Sequence, residues 1–375
     1  MTPETALISE LADQRFPTRR ATPIAGFNDA DPDPRHHKSP LRQLIVETNS
    51  SFKYRYATNF HIGYPHGLYS LEELLTDKGL HRSWALWHEL GHQRQQVWTW
   101  PALAETTVNI FSLAVLRATP DVPPTTPSVH HGTVHEWDDA WTWLKRPLAE
   151  RDFNCVPPTD NNNPACPYSL HFTRLTMFEQ LRVVFGDTWI RQVHRITRVE
   201  RPRLADDAAK RMYFMTTACK AASTDLSAYF TAWAIPGSTN ACAGLKLRRP
   251  AGDLTTVATY GAGTLLTTDA QPSGTVTLAA PGGRYGAGAK VIATARPAPG
   301  YRFTRWLLDG KPADSPNPRT VTMDTAHTLT AVFTPPTPPT ALPVVQEVSR
   351  PEVLGQGSPI GSKSGTAERV RGTEA

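Results

Sequence analysis

The chain has 375 residues, 39 Lys and Arg against 34 Asp and Glu, a formal charge of +5 and 39% hydrophobic residues. That length is ample for a buried core and for two or three domains. The small, dispersed positive excess argues against a nucleic-acid stripe, and no apolar run is long enough to span a bilayer.

The N-terminus, Met1-Thr2-Pro3-Glu4, is acidic, with neither a basic n-region nor an apolar h-region, so it does not read as a signal peptide. Residues 27–42 read as a loop. Its acids Asp29, Asp31 and Asp33 lack EF-hand spacing, and a solvated loop is favoured over a Ca²⁺ site. Leu44-Ile45-Val46-Glu47 and Tyr54-Arg55-Tyr56-Ala57-Thr58 alternate or are β-branched, and are expected as strands.

Trp84 to Gln96 is expected as a helix, with Ser83 as a candidate N-cap. It contains His88-Glu89-Leu90-Gly91-His92. In a helix, positions i and i+4 share a face, so two neutral imidazoles about one turn apart can hold one Zn²⁺. Glu89 is rotated about 100° from His88 and can address a water instead of the metal. A third ligand is needed. Ala104 to Leu113 forms a second helix candidate, with Pro101 near its start, and Glu105 on it follows His92 by thirteen positions. Asn109, one turn beyond Glu105, is a candidate partner for a ligating histidine. The alternative is an amphipathic helix with ordinary surface histidines.

Four tryptophans crowd this region. Trp84 and Trp87 are expected in the core, while Trp98 and Trp100, in a turn, are expected to be more exposed. Residues 119–136 form a Pro-rich loop ending in His130-His131-Gly132-Thr133-Val134-His135-Glu136, a weaker rival metal cluster because Gly132 and the prolines oppose a helix. Helix is expected again over Trp137–Glu150 and, from periodicity, over residues 168–235. Cys155, Cys166, Cys219 and Cys242 fit two bridges, Cys155 with Cys166 and Cys219 with Cys242; four free buried thiols are the alternative. Tyr213 and His194 are candidate donors to an oxyanion, with nothing in the sequence to place them near a metal. From Thr255 to Phe333 short β-like runs replace helix, with Tyr301, Phe303 and Trp306 as expected core and rim. Residues 335–375 open on Pro335-Pro336-Thr337-Pro338-Pro339 and are expected to be a disordered tail.

His-Glu-Leu-Gly-His-Gln-x-Gln, then Trp-x-Trp, then Glu105-Thr106-Thr107-Val108-Asn109-Ile110, resembles the enhancin-like, mucin-degrading peptidase M-60 family. Thr106 stands where that family has Val. His61-Ile62-Gly63-Tyr64-Pro65 resembles its His-x-Gly-Tyr-Pro strand, and Leu181–Gly186 and Leu226–Trp233 resemble its later helices, so the likeness covers roughly residues 20–240. It implies an α+β, gluzincin-type core: a mixed sheet plus a mainly helical C-terminal half. It also implies His88, His92 and Glu105 as ligands of Zn²⁺ and Glu89 as general base. In such hydrolases an edge strand lines the cleft, a role expected of Asn59–Pro65; His61 is then either a substrate contact or a packed strand residue. Residues 282–333 resemble a divergent internalin-B-type bacterial surface repeat.

The expected organisation is a peptidase domain over 1–250, a small all-β module over 251–334 and a tail over 335–375. The expected function is a zinc endopeptidase acting on O-glycosylated, mucin-like proteins, secreted or at the cell surface. Family members usually carry further material before the catalytic core, so the chain reads as a fragment or as beginning at a misassigned Met. The alternative is a non-catalytic adhesin that binds glycoprotein, which leaves Glu89 without a task; a metal-dependent glycan hydrolase or deacetylase is the third reading.

Overall fold

The computed structural model describes residues 24–39, 44–66, 83–118, 136–158, 163–259, 261–314 and 316–336. The tail from 337 onward and the cluster His130, His131 and His135 lie outside the described residues.

Three short strands come first: β1 (Leu44–Thr48), β2 (Tyr56–Ala57) and β3 (His61–Pro65). Their order is β1-β3-β2, with β1 parallel and β2 antiparallel to β3. The expected edge role therefore moves. Among the described strands β3 is central, and β1 and β2 are the edges. Gly63 is the reason, because it sits opposite Tyr56 and a Cβ there would lie 2.3 Å from the Tyr56 ring. Only a bare backbone lets β2 close onto β3. His61 is the packed strand residue: its Nδ1 lies 3.1 Å from Thr58 Oγ1 and its ring stands edge-on to Tyr56.

Helices follow: α1 (Trp84–His92), α2 (Ala104–Arg117), α3 (Glu136–Lys145), α4 (Leu170–Phe185), α5 (Asp187–Glu200), α6 (Asp207–Ala222) and α7 (Ser227–Ala232). Ser83 caps α1 by accepting from the Leu86 N–H. Trp84 and Trp87 are buried, as expected. Trp98 and Trp100 are also buried, against expectation. Both pack on Phe214 of α6, and Trp100 Nε1 donates to Asn154 Oδ1 at 3.1 Å. A turn between two core helices faces inward when a third helix covers it. Disulfides join Cys155 to Cys166 and Cys219 to Cys242, closing the free-thiol alternative.

The acidic loop needs no ion. Asp29 pairs with Lys38, Asp31 with Arg195 at 2.6 Å, and Asp33 with Arg35.

The C-terminal part is all β. One sheet has the order β10-β7-β5 and another the order β6-β4-β11-β8-β9. These strands are β4 (Thr264–Gln271), β5 (Gly274–Leu278), β6 (Arg284–Tyr285), β7 (Lys290–Pro297), β8 (Arg302–Leu308), β9 (Lys311–Ala313), β10 (Arg319–Thr322) and β11 (His327–Thr334). Trp306 is fully buried there, with Phe303 partly buried against it. The β part lies in one compact unit with the helices. Gln180 of α4 donates to the Thr255 carbonyl at 2.6 Å and accepts from Tyr229 and Trp233. Trp141 of α3 donates to the same carbonyl, and its ring leaves 3.0 Å to an added Cβ at Gly286.

Candidate metal centre

α1 and α2 touch through Gly91, where an added Cβ would lie 2.4 Å from the Val108 carbonyl oxygen. That close crossing brings Glu105 over the histidine face of α1. His88 Nε2 is 3.0 Å and His92 Nε2 3.7 Å from Glu105 Oε2. One ligand atom from each of the three residues lies within 4.8 Å of the others, and among the described residues this is the one such group. The sequence therefore anticipated which three side chains meet.

Whether the three fit a metal turns on their protons. Asn109 donates its Nδ2 hydrogen to the Glu105 carbonyl, and its Oδ1 accepts from Ser112 Oγ. Oδ1 also lies 3.1 Å from His88 Nδ1. Facing an acceptor, that nitrogen must carry hydrogen, so Nε2, which donates to Glu105 here, is the nitrogen that a cation would take in place of its proton. Gln95 Oε1 faces His92 Nδ1 at 3.1 Å in the same way. Both histidines are thus backed by neutral amides and present Nε2 to one carboxylate. Two imidazole Nε2 atoms, once free of hydrogen, and one anionic oxygen would form a donor set that suits a divalent cation and leaves it net positive.

The titration pattern is that of a carboxylate held between two imidazoles. Burial opposes charge on His88, but the hydrogen bond and charge of Glu105 outweigh it and raise the imidazole. Burial raises Glu105, yet the hydrogen bond from His88 and the charges of both histidines bring it down to about 2. Burial lowers His92. Glu89 is 7% exposed and burial pushes its carboxyl up to about 7, with His88 opposing and Glu105 adding. A cation among the three ligands would draw Glu89 back down.

All four residues line one cleft of about 1050 Å³. Its wall on the β2 side carries Phe52, Tyr54 and Tyr56, and the first two are more than 60% exposed. Tyr168 and His171, which the sequence did not single out, line the same cleft. Their rings meet edge-on at 5.2 Å. Burial raises Tyr168, and the charges of Glu105 and Glu89 raise it further. Burial holds His171 down at about 4, so it is neutral near pH 7. The two donors weighed from sequence are elsewhere. His194 is buried against Trp98 and Phe111, and Tyr213 donates to Glu200.

A family model for peptidase M60, enhancin and enhancin-like, matches residues 24–234, more than half of the chain. A second, for a divergent InlB B-repeat domain, matches residues 264–337. No curated protein matches. A functionally unknown conserved protein from Bacillus anthracis str. Ames is similar at 19% identity and TM-score 0.55, over 88% of this chain and 70% of that one. A metallopeptidase in complex with Tn antigen shares 16% identity over 88% of this chain and 66% of its own, at TM-score 0.46. The M60 catalytic domain of Clostridium perfringens ZmpC, in complex with the sialyl T antigen, shares 15% over 86% and 60%, at TM-score 0.47. The chain thus spans roughly two thirds of each of these solved chains. At such identities the likeness concerns the fold. No helix among the described residues is long and apolar enough to cross a membrane.

Proposed function

We propose a zinc-dependent endopeptidase, because this chain belongs to the peptidase M60, enhancin and enhancin-like family and its cleft holds the parts such an enzyme needs. The observation that carries the reading is the convergence of His88, His92 and Glu105 with a buried Glu89 beside them. In this reading His88 and His92 through Nε2, and Glu105 through its carboxylate, hold the Zn²⁺. When bound, the ion supplies Lewis acidity, polarising the scissile carbonyl and acidifying the attacking water. Glu89 takes the proton from that water and passes it to the leaving nitrogen, a task suited to a buried carboxylate in the same cleft as the three ligands. Tyr168, in the same cleft, donates to the charge that develops on the carbonyl oxygen.

The substrate proposed is an O-glycosylated, mucin-like protein. Two of the similar structures carry the Tn and sialyl T antigens, and the exposed rings of Phe52 and Tyr54 offer sugar-sized apolar faces at the cleft. Two disulfides suit an exported protein, and we place the chain outside the cell or at its surface. The peptidase domain extends to about residue 250, and the β part beyond it is a spacing or adhesion module.

The test is a zinc stoichiometry and a cleavage assay on mucin with and without its sugars, comparing wild type with Glu89→Gln. One zinc per chain in both, and cleavage in the wild type alone, supports the reading. Equal cleavage by both moves the chemistry elsewhere. Binding of mucin without cleavage by either favours the adhesin.

A further inference from the structure

Gln95 lies three residues past the second histidine, just beyond the end of α1. Its carboxamide reaches three groups at once. Nε2 is 2.6 Å from the Ala104 carbonyl oxygen and 2.7 Å from Thr107 Oγ1, and Oε1 is 3.1 Å from His92 Nδ1. The opposite orientation of the amide is excluded, because it would press two acceptor oxygens together at the Ala104 carbonyl. Thr107 cannot relieve that contact, because its own hydroxyl hydrogen goes to the Leu103 carbonyl at 3.1 Å. With the amide fixed, Oε1 must face His92, and His92 Nδ1 must carry the hydrogen.

We propose that Gln95 is the positioning residue of the metal centre. It locks His92 with its proton on Nδ1, so that Nε2 is bare toward Glu105. The same amide holds the Ala104 carbonyl, which belongs to the residue immediately before Glu105. One side chain therefore sets both the donor state of one ligand and the placement of another. Asn109 performs the first task for His88, but from within α2 and bonded to the carbonyl of its own helix. Gln95 instead ties the end of α1 to the start of α2. The inference rests on the metal reading above.

The full chain supports three measurements on wild type, Gln95→Met and Gln95→Glu. These are ¹⁵N-histidine spectra of the metal-free protein, Zn²⁺ affinity by chelator competition, and thermal melting. Wild-type His92 should show hydrogen on Nδ1. Gln95→Glu should keep that signature at a lower melting temperature, since one carboxylate oxygen still accepts from Nδ1 while the other stands against the Ala104 carbonyl. Gln95→Met should lose it and bind Zn²⁺ about 10- to 100-fold more weakly. If Gln95→Met retains the Nδ1–H signature and binds Zn²⁺ within about twofold of wild type, Gln95 is only a strut between helices and the proposal is overturned. Should Gln95→Met fail to fold, Gln95→Glu decides: a His92 proton moved to Nε2 there also overturns it. Unchanged zinc binding by His92→Ala would instead sink the metal reading. The two failures are separable, because the tautomer is read without metal.

Discussion

Replacing Gly91 by Ala tests the crossing on which the site depends. Two effects oppose each other. Alanine favours a helix over glycine by about 1 kcal/mol. Against this, the new Cβ would stand 2.4 Å from the Val108 carbonyl oxygen, where ordinary contact begins near 3.4 Å. The helices must separate by about 1 Å, and overpacking of that kind costs about 1–3 kcal/mol or more. The atom that intrudes is backbone, which has no rotamer to escape into, so the clash should win. The net expectation is a destabilisation of up to about 2 kcal/mol. The functional effect should be larger than the structural one. Val108 and Glu105 share a face of α2, three residues apart, so the retreat carries the Glu105 carboxylate away from His88 and His92. Zinc affinity should fall on the order of tenfold or more, as it does when support around a metal site is lost. Melting curves of the metal-free chain and chelator-competition titrations read the two effects separately. If Gly91→Ala melts at or above wild type and binds zinc as tightly, the crossing is not set by that contact and the reasoning is refuted.

Tyr168→Phe should lower kcat by about 100-fold with little change in KM, since the hydroxyl is asked to act on charge that develops only during reaction; a kcat within about threefold of wild type would remove Tyr168 from the mechanism. Arg174 is fully buried, and burial pulls its guanidinium down to about 9, yet it donates to the carbonyls of Ala102 and Cys155 at 2.8 and 2.7 Å. Arg174→Met removes both hydrogen bonds and should cost about 3 kcal/mol in denaturant unfolding; a cost below about 1 kcal/mol would mean that water replaces the cation. In the β part, the hydrogen bonds to Asp309 and Asp324 raise His327 above 6.5, so its stabilisation is complete below that pH and is lost as pH rises through the raised value. Asp309 and Asp324 are held below 3.8, chiefly by a backbone hydrogen bond in Asp309 and by the His327 hydrogen bond in Asp324. Their contribution is present above that pH and lost as pH falls through the lowered values. His327→Gln should therefore flatten the alkaline limb of melting temperature against pH, and an unchanged limb would show that this trio does not contribute there.

Local pattern made the ligand helix legible, since i, i+4 spacing survives any tertiary context. Glu105 was legible because a short turn and a second helix leave few ways to return. Gln95 was not, because its meaning depends on which carbonyl it meets across the crossing. Tyr168 and His171 were missed for the same reason at longer range: they enter on α4 and the turn before it, and their spacing carries no metal-site signature. The family resemblance placed Asn59–Pro65 at the edge, and a strand pattern does not report its neighbours; Gly63 decided that order through the ring of Tyr56. Trp98 and Trp100 misled because a turn was equated with solvent, whereas Phe214 from a distant helix roofs them over.

Gln180 has an effect beyond the fold. It hydrogen-bonds the Thr255 carbonyl of the connection between the helices and the β strands while its other amide atom anchors Tyr229 and Trp233 of the helical core. A module joined this way cannot swing on a leash. If the strands serve as the adhesion module proposed above, the cleft would meet that surface as part of the same folded unit and not at the end of a tether.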